Sequence, residues 1–189
     1  MINYINKMKA VAIWNPDKPS IYSTSTEKIK GYVLFTQTEH DGVKVNIFLE
    51  GLGEGQHGIH IHEKGVSEIY NLESANCCEL LGGHFNVGES WSLTNPNGTK
   101  HGEHTGDMCL NITSLKGLAT YTYYDNKISL DSAKENCVLN RSVVIHRDMD
   151  DGGKGLYLDE EKNAQTLITG NSGDRLACAE IRLIKDPEF

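Results

Sequence analysis

Residues 43–50 (VKVNIFLE) place Val43, Val45, Ile47 and Leu49 on one parity, with Lys44, Asn46 and Glu50 on the other. A period of two marks a strand that buries one face. The same pattern recurs in short runs along the chain: 8–14 (MKAVAIW), 29–37 (IKGYVLFTQ), 57–62 (HGIHIH), 108–113 (MCLNIT), 118–124 (LATYTYY), 142–146 (SVVIH) and 176–184 (LACAEIRLI), with a shorter piece around Ile128 to Leu130. The spacers carry turn chemistry. Asn15–Ser20 holds two prolines, Asp41-Gly42 is a hairpin signal, Gly51 and Gly55 turn the chain into 57–62, and Lys116-Gly117 separates two runs. No stretch offers an amphipathic helix of useful length. Two segments, about 64–106 and 147–175, are long, irregular and rich in small polar residues, and loops of that size are normally functional. The expected fold is all-β, an eight-stranded antiparallel sandwich or barrel. It forms one domain over 1–189, with 1–7 as an N-terminal extension and no repeat or linker.

The run at 57–62 opens the first long loop and holds three histidines, His57, His60 and His62. Alternate residues of a strand share a face, so His60 and His62 stand one pleat apart and can reach a single ion. His57 shares its parity with Ile59 and Ile61, the face to be buried. It is therefore expected to be a hydrogen-bonded structural histidine. Two solvated histidines on a polar face would produce the same pattern, so the remaining residues decide.

Five further histidines follow or precede this run: His40, His84, His101, His104 and His146. His40 reads as a solvated loop side chain. Glycines precede His84 (Gly82-Gly83-His84-Phe85-Asn86) and let the backbone approach a neighbour closely. His101, His104 and Asp107 are spaced i, i+3, i+6 in a glycine-containing loop. Two imidazoles and a carboxylate suit a tetrahedral zinc if a fourth ligand is supplied. His146 ends a strongly apolar strand, at the edge where a loop site would lie.

The chain carries a net charge of −8 with no long run of either sign, which argues against nucleic acid or an anionic membrane as partner. No segment has the 18 or so apolar residues of a membrane span, and the first residues lack a signal-like apolar run. A cytoplasmic location is expected, and the Asn-x-Ser/Thr matches at Asn97, Asn111 and Asn140 are read as chance. The five cysteines, Cys77, Cys78, Cys109, Cys137 and Cys178, form no Cys-x-x-Cys, and in a reducing compartment the default is free thiols.

The blocks His57-Gly58-Ile59-His60-Ile61-His62-Glu63, Gly83-His84-Phe85-Asn86, His104-Thr105-Gly106-Asp107, Val143-Val144-Ile145-His146 and Thr169-Gly170-Asn171-Ser172-Gly173-Asp174-Arg175-Leu176-Ala177-Cys178 occur in order along most of the chain. In this the sequence resembles the copper/zinc superoxide dismutase family. The resemblance implies a Greek-key, immunoglobulin-like sandwich. It implies copper held by His60, His62, His84 and His146, and zinc held by His84, His101, His104 and Asp107, with His84 bridging the two. Asp150 matches an aspartate that hydrogen-bonds ligands of both metals; otherwise it is an acid in an exposed turn. Arg175 would position the anionic substrate beside copper; otherwise it forms a surface salt bridge. His84 and Arg175 are the catalytic candidates. One disulfide is implied, Cys78 with Cys178, although the adjacent Cys77 could substitute, which leaves Cys109 and Cys137 as free, buried thiols.

The function so implied is dismutation of superoxide to dioxygen and hydrogen peroxide by a redox-cycling copper beside a structural zinc. The partners are superoxide, a second copy in a homodimer, and a copper-delivery chaperone. The alternative is a non-catalytic relative that stores or buffers metal. Four departures from the family pattern stand out. The stretch between His62 and Cys78 is longer by several residues (VSEIYNLES lies in it), in a region used for dimer contact. His101 and His104 are only three residues apart. Gly106-Asp107-Met108-Cys109-Leu110-Asn111 replaces a block with a second glycine. Gln165-Thr166-Leu167-Ile168 stands where charged steering residues are common, so steering would fall to Lys154 or Lys162.

Overall fold

The computed structural model describes residues 7–17, 22–25, 28–39, 42–69 and 77–184, with Cys77 described in its backbone alone. His40, residues 1–6 of the extension and residues 70–74 of the VSEIYNLES insertion lie outside the described residues.

Ten strands are present among the described residues. They are β1 (Lys9–Trp14), β2 (Ser23–Ser25), β3 (Lys30–Gln37), β4 (Val43–Glu50), β5 (Gly55–His62), β6 (Asn111–Ser114), β7 (Leu118–Asp125), β8 (Ser142–His146), β9 (Arg175–Glu180) and β10 (Arg182–Leu183). They form two antiparallel sheets, ordered β10-β1-β3-β4-β7 and β2-β9-β8-β5-β6. β6 passes into β7 through a two-residue turn in which Lys116 (φ 52) and Gly117 (φ 78) are both left-handed, the backbone of a type I′ hairpin. β8 then returns to lie beside β5. Strands β5 to β8 thus make the Greek key around the corner between the sheets.

The expected all-β sandwich is present, with ten strands rather than eight. β2 escaped the sequence reading because Ser-Thr-Ser has no apolar alternation; it is held by backbone pairing with Ala177–Ala179 of β9. The single run expected over 176–184 is two strands in different sheets, joined at Ile181, which is fully buried at the corner. The run expected at 108–113 begins only at Asn111, because Met108 (φ 47) and Leu110 (φ 64) are in the left-handed region, where no strand can run. Ile128 to Leu130 is not a strand. Both end residues are fully buried plugs of the core, and Ser129 makes one isolated bridge to Cys137.

The loops also hold helix, against expectation. The first contains a single turn, α1 (Val66–Ile69), and a 3-10 turn over Cys77–Leu81. The second contains α2 (Glu160–Thr169). The Asp159 side chain caps α2 by accepting from Lys162 N at 3.0 Å. Glu160 and Glu161 occupy the first turn, and Gly170 (φ 65) closes the last. Those end signals are legible in the sequence. The apolar stripe is not, since Thr166 is the helix's one fully buried residue.

The inner faces of the two sheets meet over Ala10, Val33, Phe35, Val45 and Leu49 on one side and Ile59, Ile61, Val143, Ile145 and Ala177 on the other. Val144 and Cys178 have the opposite parity. With Val66, Ile69, Cys78 and Leu81 they form a second apolar cluster between the first loop and the outside of the β5–β8–β9 sheet. β8 is consequently buried on both faces.

Candidate metal centre

His60 and His62 project from the outer face of β5. That face is not half-solvated as its alternation suggested: every residue from His57 to His62 is buried, because both long loops fold over it. Gly106 seats the first loop. Its carbonyl accepts from Ile61 N at 2.8 Å and its N–H donates to Phe85 O at 2.7 Å. A Cβ at Gly106 would strike Ile61 O and Phe85. This close approach brings His84 and Asp107 beside His60 and His62. His57 sits on the core side, with Nδ1 3.0 Å from His146 O and Nε2 3.0 Å from Gly53 O, the structural role its parity suggested.

Among the described residues, three groups could share an ion, each with its donor atoms within 4.8 Å of one another: His60, His62, His84 and His146; His84, His101, His104 and Asp107; and His60, His101 and Asp150. All of these residues are buried. In the second group the Nδ1 atoms of His84, His101 and His104 lie 2.9, 3.3 and 3.3 Å from Asp107 Oδ1. A tetrahedral zinc with bonds of about 2.0–2.1 Å has edges of about 3.3 Å between ligand atoms. The first group presents imidazole alone, which suits copper.

Hydrogen bonds fix which ring nitrogen each histidine offers. His62 Nδ1 is 3.0 Å from Gly82 O and His146 Nδ1 is 3.2 Å from Gly173 O, which leaves their Nε2 atoms facing each other at 3.4 Å. His104 Nε2 is 3.0 Å from Thr99 O. Asp150 joins the two groups: His60 Nε2 lies 2.5 Å from its Oδ2, and His101 Nε2 lies 2.8 Å from its Oδ1. His60 Nδ1 is buried with no hydrogen-bond partner, and His101 Nδ1 makes no well-formed hydrogen bond, its nearest acceptor being Asp107 Oδ1 at 3.3 Å. Buried polar atoms without partners are costly and rare, and an ion on each would satisfy them. His84 belongs to both four-residue groups and has two ring nitrogens, one for each.

Sequence reasoning missed two residues that hold Asp150. Asn111 clamps its backbone, donating from Nδ2 to Asp150 O and accepting from Asp150 N, both at 2.8 Å. The two lie 39 positions apart, so no local signal could link them. Gly170, the last residue of the α2 cap, packs against Asp150 Oδ1 and His101 Nε2, where a Cβ would collide.

Arg175 is mostly covered, its side chain 17% exposed, and is more than a surface ion pair. Its Nη1 donates to Cys78 O and its Nη2 to Gly82 O, both at 2.8 Å, while Nε lies 3.8 Å from Glu79 Oε2. Its charge helps to depress proton binding at His62 and His146, after the larger effects of burial and of His84. Lys162 lies with Nζ 5.7 Å from the centre of the Tyr157 ring. Cys78 and Cys178 form a disulfide with their Cα atoms 5.8 Å apart. The other described cysteines, Cys109 and Cys137, are free thiols but half-buried rather than buried. Burial pushes the Cys109 thiol up to about 11.

Burial, then neighbouring charge, lowers the pKa of His60, His62 and His146 from 6.5, the last to about 3. Burial likewise lowers His84, against the pull of Asp107. Burial also disfavours a charged His101, but the carboxylates of Asp107 and Asp150 raise it to about 9. Burial disfavours a charged Asp107, yet bonds from His101, His104 and His84 hold it well below the usual carboxylate range. Without metal, the unfolded chain therefore binds more protons than the folded one below pH 6.5, and stability falls with acid. Each of the four lowered histidines contributes at most about 1.4 kcal/mol per pH unit. His101 acts oppositely: its stabilisation is complete below 6.5 and is lost as pH rises through 9. Denaturant midpoints of the metal-free protein should peak near pH 6.5–7. A midpoint that is flat from pH 7 to 5 would contradict this assignment.

Residues 29–181 match a sequence family described as copper/zinc superoxide dismutase (SODC). The chain is 35% identical over 159 residues to "Superoxide dismutase [Cu-Zn] A" of Xenopus laevis, covering 81% of this chain and 89% of that protein. It is also 35% identical over 168 residues to "Extracellular superoxide dismutase [Cu-Zn]" of Drosophila melanogaster, covering 85% of this chain and 79% of that one.

Proposed function

Since this chain belongs to the copper/zinc superoxide dismutase family, we propose that His60, His62, His84 and His146 hold its copper and that His84, His101, His104 and Asp107 hold its zinc. The protein is an enzyme with copper and zinc as cofactors. It dismutates superoxide: two superoxide anions and two protons give dioxygen and hydrogen peroxide. The observation that carries the residue assignment is the sharing of His84 between two four-donor groups, one of imidazoles alone and one with a carboxylate. Copper bound at the first group supplies the one-electron redox change, and zinc bound at the second supplies a fixed charge that does not cycle.

The side chains do the rest. His84 can hold or release a proton on the ring nitrogen turned to the copper group, while its Nδ1, 2.9 Å from Asp107 Oδ1, would be held in the zinc set. Asp150 holds His60 and His101 in fixed orientation through their Nε2 atoms. Arg175 keeps a fixed cation near His62 and His146, clamped by the two carbonyls, and attracts an anionic substrate to that end of the cluster.

Metal analysis beside pulse-radiolysis kinetics tests the reading. About one copper and one zinc per chain with rapid dismutation is expected. Both metals bound without turnover would favour the storage alternative, which leaves Arg175 without a task. Arg175→Ile should slow the second-order rate about 10-fold, because a cation a few Å from an anion in a half-buried site contributes on the order of 1–4 kcal/mol. Arg175→Lys should fall between, since it keeps the charge and loses the two-pronged clamp. An unchanged rate at full copper content would remove Arg175 from the substrate's path.

No helix among the described residues is long and apolar enough to cross a membrane. A cytoplasmic location, a homodimer and a copper-delivery chaperone complete the reading. Light scattering distinguishes a dimer from a monomer of 21.0 kDa, fractionation tests the location, and copper content on expression with and without the chaperone tests delivery.

A further inference from the structure

We propose that Lys127 is a positioning residue for zinc, fastening His104 to the protein core from outside its own loop; this rests on the reading of His84, His101, His104 and Asp107 as the zinc set. Lys127 lies in the crossover between β7 and β8, and its Nζ donates to His104 O at 2.7 Å. The lysine is itself immobilised. Its N–H donates to Asp125 Oδ1 at 2.8 Å, Asn136 Nδ2 donates to its carbonyl at 2.9 Å, and the next residues inward, Ile128 and Leu130, are fully buried.

The other ties of His104 are local. Its N–H donates to Asp107 Oδ2 at 2.9 Å, its carbonyl also accepts from Asp107 N at 3.3 Å, and its Nε2 faces Thr99 O. Asp107 and Thr99 belong to the same long loop, so these ties act within it, while the loop itself is seated on β5 two residues past His104, where Gly106 O accepts from Ile61 N. His101 is fastened differently, through its N–H to Leu167 O at 2.9 Å and through Asp150. Among the described hydrogen bonds of His104, the one from Lys127 alone reaches it from outside the loop. The three-residue interval between His101 and His104 makes that tie important, because a tight turn places both ligands and any drift of one disturbs the pair. An ammonium donating to a half-buried carbonyl forms one of the stronger hydrogen bonds available for the purpose.

The test compares wild type, Lys127→Met and Lys127→Arg, each stripped and reloaded with zinc, at neutral pH. Zinc release is followed with a chromophoric chelator, and metal-free thermal midpoints are taken alongside. Loss of an outer partner of a metal ligand typically costs 10-fold to 100-fold in affinity. Lys127→Met should therefore release zinc at least about 10-fold faster, while its metal-free midpoint stays close to wild type. Lys127→Arg, which can still donate to the carbonyl, should recover most of the difference. Wild-type release from Lys127→Met overturns the proposal, and so does Lys127→Arg releasing as fast as Lys127→Met. A wild-type chain that takes up no zinc overturns the zinc reading itself. Zinc uptake by wild type with unaltered release from Lys127→Met overturns the role of Lys127 alone.

Discussion

His146→Ala should cost at least about 100-fold in dismutation rate while leaving the sandwich folded and zinc bound. Changing a partner that merely orients a ligand already costs 10-fold to 100-fold in metal affinity or activity, so loss of a proposed copper ligand should do no less. His146 lies at the end of β8, 4% exposed, with Nε2 turned toward His62 and Nδ1 toward Gly173 O. It is not among the four donors assigned to zinc. Copper content should therefore drop sharply at nearly full zinc. The fold should survive because Val143 and Ile145, the core residues of β8, are untouched. The carbonyl that His57 meets belongs to the backbone and is retained. A small stability loss of roughly 1–3 kcal/mol is expected from emptying a buried site. Unchanged rate at unchanged copper content would sink the copper assignment; lost zinc at retained copper would mean that the two groups have been drawn the wrong way round.

Opening the disulfide should have the largest effect on stability. Cys78 and Cys178 are 100 positions apart, and closing a loop of that length removes on the order of 4–5 kcal/mol of chain entropy from the unfolded state. In a chain of this size that corresponds to a fall in Tm of roughly 10–15 °C. Cys178→Ser in the metal-free protein should show it by calorimetry. The loss should extend to function, because the strap that the disulfide ties down, residues 78–82, ends in Gly82, whose carbonyl meets both His62 and Arg175. Copper uptake should weaken together with Tm. A Tm drop of only about 2–3 °C would mean that the second apolar cluster of Val66, Ile69, Leu81 and Val144 holds the strap without the covalent link.

The sheets were largely legible in the sequence because period-two alternation reflects one buried face, and β3, β4, β7 and β8 fall close to where that pattern put them. Legibility failed where a different force sets the structure. β2 is held by backbone pairing, α2 by its two caps, and the start of β6 is delayed by left-handed Met108 and Leu110. In the centre, residue type and spacing marked the histidines and Asp107 because chemistry restricts what can bind an ion. The residues that aim them were silent. Asn111 and Lys127 reach with their side chains to the backbone of partners distant in sequence, and Gly170 acts by close approach, so no local motif singles them out.

Among the described residues, three of the four sheet edges end in very short strands: β10 has two residues, β2 three and β6 four. A short edge gives another chain little to pair with, which is how sheet proteins avoid sticking edge to edge. The weak place is where Ser23–Ser25 covers Ala177–Ala179. Beneath it runs Leu176-Ala177-Cys178-Ala179, uncharged and apolar, a ready template for a neighbouring molecule once the cover lifts. Resistance to aggregation during long storage therefore hangs on a three-residue strand that holds none of the proposed metal ligands, and a charge introduced at Thr24 or a proline that unpairs it should show as turbidity.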